Sequence, residues 1–390
     1  MPPIKQPSIE NVIYLDHNAT TPLDPAVFHA MEPYFMKNFG NASSVDHKYG
    51  SEASLAVNNS RSTIAKVIGA KSDEIIFTSG ATESNNLAIC GVMEKYKDKG
   101  DHMITCVTEH EAVLNTAQHL EKMGKKITYL PVNELGRVDP DDILDAITDQ
   151  TVLVSIMAAN NEIGVIPDIK KIGQITREHD VLFHTDAAQA VGHIPIDVNE
   201  MNIDLMSFSA HKMYGPKGIG ALYVRGIKPR VRIDGIIYGG GQERGLRSGT
   251  LNVPGIVGFG KAIEIAALEM EHERGRLNDM SRLMLDVLEK EEAQLNGDSK
   301  DRLAGNINVY YQGIEGKAII NLVSDAIAIS AGSACTTTSI EPSHVIMALG
   351  YGEDRAHSSI RIGMGRYTEK ENAEFAACKI SDIVRKIRRM

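Results

Sequence analysis

Between residues 74 and 224, short apolar runs alternate with longer amphipathic stretches, and this alternation leaves the chain few folds to choose from. The runs occupy 75–78, 103–108, 127–132, 152–157, 181–184, 203–208 and 219–224. A strand buried on both faces reads as a short continuous apolar run, and helices between such strands act as crossovers. The pattern therefore predicts a mainly parallel sheet covered on both sides. Strand order is not readable from it. After Gly239-Gly240-Gly241 and Asn252-Val253-Pro254 the pattern turns to long helix, from 256 to about 273 and then in a second run to 295. Strand-like 307–311 and 326–330 follow among helical stretches, which suggests a small α+β domain. There are no internal repeats.

At 390 residues the chain is long enough for two domains, or for one large domain with a smaller partner. Its net charge of −10 argues against a broad nucleic-acid surface or an anionic membrane partner, so no direct nucleic-acid binding is expected. Two basic clusters, Arg225/Lys228/Arg230/Arg232 and Arg385/Lys386/Arg388/Arg389, read as solvated faces. Cys90, Cys106, Cys335 and Cys378 are widely spaced and form no CxxC or zinc-ligand pattern, so neither a disulfide framework nor a metal is expected. Residues 1–11 lack an apolar signal core, and no apolar run nears the roughly 18 residues a membrane span needs. The expectation is a cytoplasmic protein in a reducing compartment with no membrane association.

Asp186 closes the apolar run Val181-Leu182-Phe183, and Lys212 follows the next one within Ser209-Ala210-His211-Lys212. Open α/β sheets bind ligands at such strand ends. Pyridoxal phosphate needs a lysine to form a Schiff base with its aldehyde and an acid to keep its pyridine nitrogen protonated. Taken singly, each residue reads more simply as a cap or a surface lysine. Phe77-Thr78-Ser79-Gly80-Ala81-Thr82-Glu83-Ser84 leads from a strand into a helix expected over 86–95. That turn either holds a phosphate on backbone N–H groups, with Thr82 adding its hydroxyl, or is an ordinary helix start with Thr82 or Ser79 as N-cap.

Other strand ends carry polar groups as well. His110, in Thr108-Glu109-His110-Glu111, could stack on an aromatic ring or move protons. Asn160-Asn161-Glu162-Ile163-Gly164 could supply an amide to a ring oxygen, or form a plain Asn-rich turn. The loop Gly239-Gly240-Gly241-Gln242-Glu243-Arg244, with Arg247-Ser248-Gly249-Thr250, could offer a hydroxyl and an arginine to a phosphate, or act as a linker. Cys335 sits among small and hydroxylated residues, Ser330-Ala331-Gly332-Ser333-Ala334-Cys335-Thr336, which favours a nucleophilic thiol over a buried one. Arg361 could clamp a carboxylate or serve surface solubility.

Taken in order, the pieces 79–86, 160–164, 209–218, 247–250 and 332–336 make the chain resemble the cysteine desulfurases of the IscS/NifS type, fold-type I pyridoxal-phosphate enzymes of the class V aminotransferase family. The resemblance runs from Tyr14-Leu15-Asp16 to about Arg366. It implies an α/β fold-type I PLP-dependent transferase: a large domain over 16–263 with a mainly parallel seven-stranded sheet, and a small α+β domain of 1–15 and 264–390 carrying the catalytic cysteine loop. It implies Lys212 as Schiff-base lysine, Asp186 on the ring nitrogen, His110 stacked on the ring, and Gln189 and Asn161 near the phenolic oxygen. Ala81, Thr82, Ser209 and His211 would hold the phosphate, joined by Thr250 of the other subunit in a homodimer. Arg361, with Asn161, would bind the substrate, L-cysteine, through its carboxylate. Cys335 would take its sulfur as a persulfide, leaving L-alanine, and pass it to an acceptor, an iron-sulfur scaffold protein or a nucleic-acid thiolation enzyme. The family pattern is departed from at His17, Ala42 and Thr337, none of which removes a catalytic group. The alternatives are selenocysteine lysis, transamination of a small amino acid, or a non-catalytic scaffold.

Overall fold

The protein is described here by a computed structural model covering residues 12–331 and 341–390. All seven apolar runs form strands of a single sheet, in the spatial order Ile75–Thr78, Gly220–Val224, Leu205–Ser209, Leu182–Asp186, Thr151–Ser155, His102–Cys106, Lys126–Leu130. Only Gly220–Val224 runs against its neighbours, and the remaining pairs are parallel. Six of the seven strands are buried along their whole length, which is why they read as continuous apolar runs. The exception is the edge strand Lys126–Leu130. From His102–Cys106 the chain moves outward to Lys126–Leu130 and then returns to the other side at Thr151–Ser155. This reversal opens a crevice at the strands' C-terminal ends, where ligands of such sheets bind.

Residues 256–295, expected as two helical runs, instead begin with one 36-residue helix, Val253–Leu288. Apolar periodicity lapses near its middle because Leu268, Glu269 and Glu271 face solvent between two cores. Strong helix formers carry the backbone across that gap. Up to Ala266 the helix packs on the large sheet, with Phe259 edge-on to Phe208 at 5.6 Å between ring centroids. From Leu277 onward, Leu277, Met280, Met284 and Leu288 belong to a second core. Gly260 permits the tight seat against the helix Lys48–Val67, since a Cβ there would lie 2.8 Å from that of Ser60. Truncating Phe259 to alanine would cost about 3–5 kcal/mol at such a site.

The second core surrounds a three-stranded antiparallel sheet, ordered Ser359–Gly363, Asn306–Tyr310, Gln294–Leu295, and the helix Lys370–Arg388. Two residues near the N-terminus, Ile13–Tyr14, pair in parallel with Ile327–Ala328 and bring Leu15 into this core. No helix of the described residues is long and apolar enough to cross a membrane. Arg225, expected on a solvated face, is instead buried against Asp204 at 3.2 Å, whereas Lys228, Arg230 and Arg232 are exposed.

Candidate active site

Asp186 is the last residue of its strand, and its two carboxylate oxygens are both engaged. Oδ2 accepts from the Asn85 amide at 2.6 Å and Oδ1 from the Ala188 backbone N–H at 2.9 Å. Beneath it, His184 is wedged between the hydroxyls of Ser155 (2.8 Å) and Ser207 (3.0 Å), and burial pulls its pKa down to about 4. The neutral ring is a fixed polar brace under the acid.

Lys212 ends a single 3-10 turn, Ala210–Lys212, just beyond Leu205–Ser209. Its Nζ donates to the carbonyls of Asn18 (2.5 Å) and Ala19 (2.7 Å), and its own carbonyl accepts from His193 Nε2 at 2.9 Å. Two residues on, Tyr214 takes the left-handed conformation at φ +64°, costly for a non-glycine residue. It is held there by Thr21 Oγ1, which accepts its N–H at 2.8 Å, and by Asp24 N–H, which donates to its carbonyl at 3.0 Å.

The helix after Ile75–Thr78 starts at Ala81 rather than at Asn86, and its N-cap is Gly80, neither Ser79 nor Thr82. Gly80 offers no capping side chain, so the helix presents backbone N–H groups at Ala81 and Thr82 to an anion. Polar Thr82, Glu83 and Ser84 resemble a capping sequence, which is why sequence reasoning placed the helix late. Glu83 instead accepts from the Ser79 N–H (2.9 Å) and pairs with Arg247 (2.8 Å). Glycine at 220 lets this turn approach the sheet, for a Cβ there would lie 2.7 Å from Gly80 Cα.

His110 caps the next helix, Glu111–Lys122: its Nδ1 accepts the Ala112 N–H at 3.0 Å, so in the neutral ring the proton sits on Nε2. Glu109 beside it is fully buried. Its Oε1 accepts the Met157 N–H at 2.7 Å, and burial, reinforced by Asp186, raises its pKa well above the usual carboxyl range. Asn160 ties down the loop after Thr151–Ser155 by accepting from the N–H groups of Glu162 (2.8 Å) and Ile163 (3.0 Å). Gln189 donates to the Asn18 carbonyl at 2.8 Å.

Arg361 is 1% exposed, which corrects the surface reading. It rises from Ser359–Gly363 of the small sheet, donating through Nη1 to the Asn161 carbonyl (2.9 Å) and through Nη2 to Asp16 Oδ1 (2.7 Å). Ala81, Thr82, His110, Asn161, Asp186, Gln189, Ser209, His211, Lys212 and Arg361 all line one cavity of about 550 Å³. A cavity of about 690 Å³ between the long helix and 366–371 carries none of them. Thr250 is exposed and does not line this chain's cavity, and Cys335 lies outside the described residues. Sequence reasoning assigned no part to Asp16, Asn18, Asn85 or Glu109. Glu109 stood in a strand-end motif, and Asp16 and Asn85 lay within stretches that carry the resemblance, but Asn18 left no trace.

The donor set fits pyridoxal phosphate. There is an amine for the aldehyde, a carboxylate for the ring nitrogen, and a helix start with Thr82, Ser209 and His211 for the phosphate. Asn85, which also lines the cavity, keeps a buried Oδ1 with no hydrogen-bond partner among the described residues. Lysine and acid at the ends of central parallel strands, beside a glycine-capped helix start, define a fold-type I pyridoxal-phosphate enzyme. The aminotransferase class-V family matches residues 13–375. The chain belongs to that family, among its cysteine desulfurases. It is 53% identical over 380 residues to the cysteine desulfurase IscS of Rickettsia massiliae (strain Mtu5), covering 97% of this chain and 92% of that one. With the IscS of Rickettsia bellii (strain OSU 85-389) it shares 54% over 378 residues, covering 96% and 92%. Among solved structures, a NifS-like protein superposes with a TM-score of 0.90 at 36% identity, covering 96% of this chain and all of that one. SspA in complex with cysteine matches with a TM-score of 0.81 at 38% identity, covering 92% and 100%.

Proposed function

We propose that the protein removes sulfur from L-cysteine with pyridoxal phosphate, yielding L-alanine and a persulfide on Cys335. The observation that carries this reading is the convergence of Lys212, Asp186 and Arg361 on one cavity at the strand ends. Arg361 binds the substrate carboxylate, and Lys212 Nζ takes the Cα proton. Asp186 would hold the proton of the pyridine nitrogen, His110 would stack on the ring, and Gln189 and Asn161 would bond its phenolic oxygen, while Ala81, Thr82, Ser209 and His211 would hold the phosphate. Bound there, the pyridoxal ring supplies an electron sink for the pair left when Cα loses its proton. The Cys335 thiolate then attacks the substrate sulfur: the S–S bond forms as the Cβ–S bond breaks with its electron pair left on carbon, and the carbon skeleton leaves as L-alanine after gaining a proton at Cβ and regaining one at Cα from Lys212.

The active form is a homodimer in which Thr250 reaches the other subunit's phosphate site. Phe35, Met36, Phe39, Tyr49, Leu55 and Tyr238, large apolar side chains left exposed, with Phe39 stacked on Tyr49, support this. The persulfide sulfur passes to an acceptor protein of iron-sulfur cluster assembly or nucleic-acid thiolation in the cytoplasm. The test is peptide mapping after brief exposure to L-cysteine. A persulfide on Cys335, and a Cys335→Ala enzyme whose cofactor spectrum still responds to L-cysteine while alanine production stops, are the expected results. A persulfide on Cys90, Cys106 or Cys378 instead would refute the assignment.

A further inference from the structure

Asp16 has no part in the chemistry proposed above, yet three elements of the site meet on it. Its Oδ1 accepts both from Arg361 Nη2 at 2.7 Å and from the Ser330 hydroxyl at 3.1 Å. Its backbone carbonyl accepts the N–H groups of Ala19 (3.0 Å) and Thr20 (3.4 Å), closing the turn whose Asn18 and Ala19 carbonyls receive Lys212 Nζ. A parallel bridge to Gly363 sets Asp16 beside the Arg361 strand. Glycine is required at 363, because a Cβ there would lie 2.5 Å from Asn18 Oδ1 and 3.0 Å from the His17 nitrogen.

A guanidinium as buried as Arg361 is tolerated only with a counter-charge and satisfied donors, and Asp16 is the carboxylate it touches. The two anchors on Nη1 and Nη2 do more than neutralise it. A planar group held at both ends cannot swivel, so its orientation toward an incoming carboxylate is set before substrate arrives. Ser330, itself paired through its backbone with Arg361, is tied to the same carboxylate oxygen.

We infer that Asp16 is a positioning residue for the substrate carboxylate: it fixes the Arg361 guanidinium in its binding orientation and ties that orientation to the turn that seats Lys212. This rests on the reading of Arg361 as the carboxylate site. Its experiment compares kcat/KM for L-cysteine with that for L-cysteine methyl ester, which lacks the charged carboxylate, in the cofactor-loaded enzyme. In Asp16→Ala the preference for the acid over the ester falls about tenfold or more, mostly through a higher KM for L-cysteine. Asp16→Asn, which keeps an acceptor for Arg361 and Ser330 but not the counter-charge, restores part of it. Asp16→Glu keeps the charge but displaces it by one methylene, and it loses the preference as Asp16→Ala does. This variant also serves if Asp16→Ala does not fold. A purely structural residue would lower the melting temperature and leave the acid-to-ester ratio alone. If Arg361→Lys lowers the ratio while Asp16→Ala and Asp16→Glu keep the wild-type value, the role of Asp16 is overturned and that of Arg361 stands. If Arg361→Lys also leaves the ratio unchanged, the carboxylate site lies elsewhere and both readings fall.

Discussion

The two sides of the cavity are built in different ways. On the sheet side, Asp186, Lys212 and His110 each stand at or a few residues beyond the end of a strand buried along its whole length. Their spacing is therefore set by the sheet itself, about 4.7–4.9 Å from strand to strand. On the other side, Arg361 comes from a separate small sheet, Asp16 from an isolated bridge and Asn161 from a turn, and Arg361 and Asp16 meet across 345 residues of sequence. The first arrangement suits a cofactor held in one place. The second is a set of few, specific contacts between two packed units, suited to recognising a small substrate and sensitive to a single lost atom.

Damage on the sheet side should therefore stop the chemistry outright, whereas damage opposite should alter recognition. Lys212→Ala is the harshest test: turnover should fall at least about 10³-fold, as expected when a general base is lost. Borohydride reduction of the wild type should leave the pyridoxyl group on Lys212, and finding it on Lys217 would break the comparison at its root. Asp186→Asn should cost roughly 10–100-fold in kcat, the range for losing one charged hydrogen bond in a buried site, with KM for L-cysteine moving far less. A KM effect larger than the kcat effect would place Asp186 with the recognition residues.

Assembly sharpens the same comparison, because Thr250 belongs to neither side of its own cavity. Met36→Asp, on the exposed apolar surface, should shift sedimentation toward monomer and lower affinity for the cofactor, since each phosphate site would then lack the partner's hydroxyl. A monomer retaining full activity would remove Thr250 from the site. A smaller effect concerns pH. Burial lowers His17, His184 and His211 to about 4 from an ordinary 6.5, so the folded protein binds fewer protons than the unfolded chain between those values. Stability should therefore be fully present above pH 6.5 and be lost as pH falls toward 4, which melting temperatures across that range would show.

The smallest expected effect is at Glu109, whose raised pKa has the opposite sign: its contribution is present below the unfolded value of 4.5 and declines as pH rises through the folded one. Glu109→Gln keeps an acceptor for the Met157 N–H and has no proton to lose. Its stability should stay within about 1 kcal/mol of wild type at low pH and fall less on raising the pH. A steeper decline in the variant would show that Glu109 works as a carboxylate.

The seven strands were legible because six of them are buried on both faces, which forces uninterrupted apolar runs, and polar residues at their ends stood out for that reason. Lys212 and Asp186 could thus be picked out before any fold was known. The start of the helix at Ala81 was hidden because Thr82, Glu83 and Ser84 imitate a cap, and what decides it is Gly80 packed against Gly220. The long helix was misjudged where it passes between two cores, since periodicity reports what a residue packs against and there it packs against little.

Arg361 illustrates the limit. Ser358-Ser359-Ile360-Arg361 carries one apolar residue among polar ones and suggests a surface, but pairing with Asn306–Tyr310 on one edge, the bridge to Ser330 on the other and the ion pair with Asp16 bury it almost wholly. Local pattern determined which segments become strands and helices and which chemistry sits at their ends, because those depend on neighbours within a few residues. The order of the strands, the burial of Arg361 and its meeting with Asp16 were decided only by tertiary packing, because each depends on groups from tens to hundreds of residues apart whose adjacency no local sequence signal encodes.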